Sequence, residues 1–161
     1  FQSKFSLSTN KYKMFGHSAG AQFTHRYMLL SNDKRISSAV IANAGWYTFL
    51  NGASFPYGIQ ESPIDITGKH IRWFMSNRTT LLIGDNDVNL DDVNSSAGAK
   101  NQGKTRVDRA KNYFNALIRL ADKENIPFRW RYEVINGVDH DYLKMTPVAA
   151  KILLEDVSSF D

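Results

Sequence analysis

Segments of strand and helix character alternate along this chain. That order predicts an α/β fold, a mostly parallel sheet of about four strands with flanking helices. Three observations carry the reading. Ser38-Ala39-Val40-Ile41-Ala42-Asn43 and Thr79-Thr80-Leu81-Leu82-Ile83-Gly84 are continuous, largely apolar runs of the kind a parallel sheet buries on both faces. Residues 105–124 place Val107, Ala110, Phe114, Leu117, Ile118 and Ala121 on one stripe of an amphipathic helix. Gly16-His17-Ser18-Ala19-Gly20 sets small residues around a serine between a strand-like and a helix-like segment.

In chain order, residues 1–7 are expected to end a helix and residues 8–10 to form a polar turn. Residues 11–15 read as a short strand running into the Gly-x-Ser-x-Gly stretch. Over 19–30 the apolar positions Ala19, Phe23, Tyr27 and Leu30 recur at helical spacing. A turn at 31–35 leads to the strand at 38–43. The long segment that follows contains Pro56, Gly58 and Pro63, and loops of such length are usually functional when ordered. A short helix is expected over 69–77. Asp85-Asn86-Asp87 ends the strand at 79–84, and the polar residues 88–104 read as a surface loop. Pro127 closes the long helix. Residues 128–135 alternate Phe128, Trp130, Tyr132 and Val134 with Arg129, Arg131 and Glu133, a half-covered strand near the sheet edge. Thr146 is the expected N-cap of the last helix and Pro147 its first residue.

Composition excludes several function classes. The 161 residues amount to one domain by length, and the sequence contains no cysteine, so disulfides, thiolate metal sites and a cysteine nucleophile are ruled out. Lys and Arg are spread along a chain of net charge +4 rather than gathered in a block, so nucleic acid is not an expected partner. The aromatic and basic alternation around Trp130 is explained by a buried aromatic face and a solvated basic one. No apolar run reaches the roughly 20 residues of a membrane-spanning helix. Asp85, Asp87, Asn89 and Asp91 alternate as calcium ligands do, but an EF-hand loop needs Gly where Leu90 stands and Glu where Ser96 stands. No metal and no cofactor is expected, and no compartment follows from these features.

Ligands of a parallel α/β sheet bind beyond the carboxyl ends of its strands. Three loops expected at that edge carry Ser18, Asp87 and His140. A serine hydroxyl is a poor nucleophile at neutral pH and needs an adjacent base, which in turn needs an orienting acid. The chain order Ser, Asp, His suits a serine on a strand-to-helix elbow, where the turn is sharp and the residues two before and two after the serine must be small. Gly16 and Gly20 meet that demand, and Ala19 and Ala21 keep the helix start close to the sheet. The backbone N–H of Ala19 is the expected oxyanion donor.

On Gly16-His17-Ser18-Ala19-Gly20-Ala21-Gln22-Phe23, Asn43-Ala44-Gly45-Trp46-Tyr47, Leu82-Ile83-Gly84-Asp85-Asn86-Asp87 and Gly137-Val138-Asp139-His140-Asp141, the sequence resembles the α/β-hydrolase superfamily. Within it, the likeness is to carboxylic-ester hydrolases of the poly(hydroxyalkanoate) depolymerase and feruloyl esterase kind. The resemblance implies a triad of Ser18, Asp87 and His140 acting on esters through an acyl-enzyme. It favours Asp87 over Asp85 by its place three residues after Gly84, and over Asp139 and Asp141, which flank the histidine. Trp46, Tyr47 and His17 are expected to meet substrate, with core packing the alternative for Trp46 and Tyr47 and an orienting role the alternative for His17. His25 is expected to be structural. The match covers only the C-terminal half of the superfamily fold. The expected partner is therefore a segment or second chain supplying the preceding strands and the second oxyanion donor, and weak or no hydrolysis is expected without it. The alternative function is a hydrolase-like module that binds without catalysis.

Overall fold

The computed structural model describes residues 10–155. The helix end expected over 1–7, and all but the last residue of the turn at 8–10, lie outside them. In chain order the elements are β1 (Tyr12–His17), α1 (Ala19–Ser31), β2 (Ile36–Ala42), α2 (Gly68–Ser76), β3 (Arg78–Gly84), α3 (Ala97–Lys100), α4 (Arg106–Glu124), β4 (Trp130–Ile135) and α5 (Tyr142–Glu155). The strands form one sheet in the order β1-β2-β3-β4, and every neighbouring pair is parallel. The register sets His17 beside Ala42 and Gly84 beside Ile135. The chain therefore leaves β1, β3 and β4 at one edge of the sheet.

Strand side chains alternate between two covered faces, which is why β2 and β3 read as unbroken apolar runs. Ala39, Ile41, Leu81 and Ile83 pack with α1, α2 and α4, where Met28, Phe74, Tyr113 and Leu117 are buried. Val40, Ala42 and Leu82 face the opposite way, onto Met145 and Ala149 of α5. Helices on both faces of a parallel sheet, as expected from the sequence, hold the strand ends in fixed register.

Several elements differ from expectation. The buried face of α1 is Ala21, Thr24, His25, Met28 and Leu29, while Phe23 is 58% exposed and its ring lies 5.7 Å from that of Tyr27. A histidine belongs to the inner face here because both its nitrogens are bonded. Nδ1 lies 2.9 Å from the Ala21 carbonyl, and Nε2 accepts the Thr48 N–H at 3.0 Å. In α4 the buried residues include Arg106, Arg109 and Tyr113, so its inner face is rotated from the apolar stripe. Within the loop expected over 88–104, Ser96 caps the single turn α3 by accepting the Ala99 N–H at 3.3 Å. β4 lies at the sheet edge among the described residues and keeps Trp130 buried, but Val134 is 45% exposed.

The start of α5 is a further correction. Thr146 and Pro147 do not open the helix. Asp141 caps it, with its carboxylate accepting the Leu143 N–H at 2.8 Å and its carbonyl the Met145 N–H at 3.1 Å. Pro147 lies inside the helix, and the Thr146 hydroxyl donates to the Tyr142 carbonyl at 2.7 Å.

Candidate active site

Ser18 stands between the last residue of β1 and the first of α1, with φ 56° and ψ −118°. That conformation is costly for any residue with a Cβ, and surrounding structure must impose it. Two constraints do so. The Ser18 N–H donates to the Ala42 carbonyl at 2.9 Å, and its carbonyl accepts the Gln22 N–H at 3.1 Å. A Cβ added at Gly16 would collide with the Gly20 carbonyl, so only glycine admits the turn at that position. At Gly20 the expectation needs correction. A Cβ there would meet nothing within 4 Å, and the crowding is one-sided, with Gly20 contributing its backbone.

The Ser18 hydroxyl makes no capping bond to α1. Instead its Oγ lies 2.8 Å from His140 Nε2. His140 Nδ1 lies 2.7 Å from Asp87 Oδ2. A carboxylate oxygen only accepts, so Nδ1 carries the proton and Nε2 is left to accept from the serine. Residues 122 positions apart in sequence thus meet in one hydrogen-bonded line. The Asp87 side chain is wholly buried and that of His140 is 31% exposed, so the carboxylate is shielded while the imidazole stays reachable.

Local contacts explain why this acid reaches the histidine. The Asp87 N–H donates to the Gly84 carbonyl at 3.1 Å, closing a turn at the end of β3. The Asn86 N–H donates to the Val138 carbonyl at 3.0 Å, so the acid loop and the histidine loop are tied directly. A Cβ at Gly84 would strike that Val138 carbonyl. Two of the other carboxylates are engaged elsewhere. Asp85 accepts the Gly137 N–H at 2.7 Å, and Asp141 caps α5.

No protein-family model matches the sequence, and no curated protein sequence does either. Solved structures do match. Poly(aspartic acid) hydrolase-1 from Sphingomonas sp. KT-1 shares 29% identity and a TM-score of 0.86 over 93% of this chain and 57% of its own. The poly(3-hydroxybutyrate) depolymerase LpqC from Bordetella parapertussis shares 33% identity and a TM-score of 0.83 over 89% of this chain and 49% of its own. The fold is an α/β-hydrolase fold. The chain spans about half the length of those two hydrolases.

Within this hydrolase fold the remaining expected residues separate. His17 is beside His140, its ring centroid 4.7 Å from that of its neighbour. Burial holds its imidazole below the usual range, and the neighbouring His140 pushes the same way. Its Nε2 is buried with no hydrogen-bond partner among the described residues. Ala19 opens α1, where a backbone N–H has no intrahelical acceptor. Trp46 is 8% exposed, 4.8 Å from the Tyr57 ring, with the Arg26 guanidinium 4.5 Å from its centroid. Tyr47 does not line an open site. It is fully buried and stacked on Tyr113 at 4.5 Å, and its backbone pairs reciprocally with the Gln102 amide at 2.8 and 2.6 Å. Core packing, the alternative for Tyr47, is what the hydrolase fold makes of it.

Three residues of this hydrolase fold escaped sequence reasoning. Arg106 Nη1 donates to Asp87 Oδ1 at 3.0 Å. Arg109, 1% exposed, donates to the carbonyls of Gly45, Gly103 and Asn94 at 2.7, 2.9 and 3.0 Å. Asn43, at φ 48°, accepts the Gly84 N–H and donates to the Asp139 carbonyl, each at 3.0 Å. Arginines at helical spacing from apolar residues look solvent-facing in a sequence. Asn43 had one legible signal, since asparagine ending an apolar strand suits a left-handed turn.

Proposed function

We propose that this chain is a serine hydrolase that cleaves carboxylic esters through an acyl-enzyme. The observation carrying the reading is the continuous line from Ser18 Oγ through His140 to Asp87, at 2.8 and 2.7 Å. In this reading His140 Nε2 takes the Ser18 proton as Oγ attacks the ester carbonyl carbon. The tetrahedral intermediate collapses as the C–O bond to the alcohol breaks, and the same proton passes to the leaving oxygen. Water, deprotonated by His140, then attacks the acyl carbon, and the C–Oγ bond to Ser18 breaks as the imidazolium returns that proton to Oγ, releasing the acid. Asp87 holds the imidazole tautomer and stabilises the imidazolium. The Ala19 N–H donates to the oxyanion. His17 and Trp46 flank the substrate.

Both matched hydrolases are named for polymers, poly(aspartic acid), whose units are joined by amides, and poly(3-hydroxybutyrate), whose units are joined by esters; the second supports an extended ester chain as substrate. β1 pairs only with β2 among the described residues, an open edge on which a further strand-bearing segment could supply the second oxyanion donor.

A fluorophosphonate probe tests the proposal, since it labels only an activated serine. Wild-type protein is expected to gain one covalent adduct at Ser18, and Ser18→Ala and His140→Ala to gain none. Absence of labelling, or labelling that persists in Ser18→Ala, would refute it.

A further inference from the structure

We infer that Arg106 is a positioning residue for the site, locking the Asp87 carboxylate so that a single oxygen faces His140. The inference rests on the triad reading but concerns a residue behind it. Arg106 is 4% exposed and is the first residue of α4. Its Nη1 donates to Asp87 Oδ1 at 3.0 Å, and its Nη2 donates to the Asp92 carbonyl at 2.8 Å. The guanidinium therefore grips both the acid and the segment that follows it. Asp87 Oδ2, the oxygen left over, is the one 2.7 Å from His140 Nδ1.

Local energetics argue against a filler role. A cation in the first turn of a helix opposes the helix dipole. Burial adds a desolvation cost, and Nε has no hydrogen-bond partner among the described residues. Breaking local rules in this way is characteristic of functional sites. The guanidinium also rides on a fixed frame. Thr105 and Asp108 form a reciprocal capping box at the start of α4, and Arg109, one turn on, is pinned to three backbone carbonyls. Without Arg106 the carboxylate could rotate about its last torsion and offer either oxygen, and His140 would lose its fixed bearing on Ser18.

The test compares wild-type protein with Arg106→Met and Arg106→Lys. Three quantities are read at one pH: the rate of fluorophosphonate labelling, the low-field proton resonance of the His140 Nδ1–H, and the melting temperature. Arg106→Met is expected to label about 10- to 100-fold more slowly, the scale on which partners behind metal-ligating histidines and carboxylates act. Its low-field resonance should shift or broaden. Arg106→Lys should recover part of the rate, because an ammonium keeps the charge but cannot bridge both acceptors. Should Arg106→Met fail to fold, Arg106→Lys carries the test through the same resonance. The inference is overturned if the substituted protein keeps the wild-type rate and resonance. It is also overturned if labelling falls only in step with the folded fraction and lysine does no better than methionine. Failure of wild-type protein to label would refute the triad reading alone, because the resonance reports the His140–Asp87 bond without any reaction at Ser18.

Discussion

His25 is a histidine whose burial has a measurable consequence. It is fully enclosed, and desolvation lowers its imidazole from the model-compound value of 6.5 to about 3. In the unfolded chain it takes up a proton below about 6.5, whereas in the folded protein it does not until about 3. The unfolded state thus binds more protons across that window, and stability falls as the pH falls. Above the window both states are neutral and the contribution is intact. Each pH unit inside it is worth about 1.4 kcal/mol. Urea unfolding at pH 7 and pH 5 should show wild-type protein losing about 2 kcal/mol more than His25→Gln. Equal losses would mean that the imidazole titrates in the fold as it does in water.

The two motif glycines make a second residue-scale contrast. Gly16→Ala must push the elbow away from the Gly20 carbonyl and should cost at least about 2 kcal/mol, with loss of Ser18 labelling. Gly20→Ala enters open space within α1 and should be neutral or stabilising by up to about 1 kcal/mol. Thermal melts of the pair read the difference directly. The sequence pattern treats these positions as equivalent. Their inequality depends on which Cβ direction faces which backbone, and no string of letters carries that.

At the scale of elements, the strands were the most legible because a strand buried on both faces announces itself by composition alone. β2 and β3 lie within two residues of where their apolar runs put them. The helices were legible in position but less so in orientation. α1 and α4 turn inward faces that include His25, Arg106 and Arg109, side chains that belong inside only when specific backbone acceptors or a carboxylate await them. Those acceptors come from distant segments, so a stripe counted along one helix misses them. The start of α5 is masked in the sequence because Pro147 suits a first turn better than the interior it occupies. Pro147→Ala should therefore stabilise the fold by about 1–2 kcal/mol, what remains of the ~3 kcal/mol interior penalty after the unfolded chain regains its freedom. Urea midpoints at unchanged m-value would show it, and a lowered midpoint would contradict it.

For the whole molecule, parallel order explains why three loops far apart in sequence converge. Every strand points the same way, so every loop after a strand emerges at the same edge, and Asn43 laces that edge by joining the β3 end to the loop of His140. That much of the candidate site followed from the order of segments. The layer behind it did not, because Arg106 and Arg109 act through α4, an element whose place against the acid loop is a tertiary fact. The two arginines also differ in what could undo them. Arg106 leans on a side chain, the Asp87 carboxylate, whereas Arg109 leans on three peptide carbonyls that belong to the backbone. One substitution, at Asp87, removes the acceptor of the first clasp, whereas no side-chain replacement removes the acceptors of the second. Asn94, Gly103 and Gly45 stay tethered to one helix whatever side chain stands at position 87, so the segments behind the site are gathered independently of the carboxylate they support.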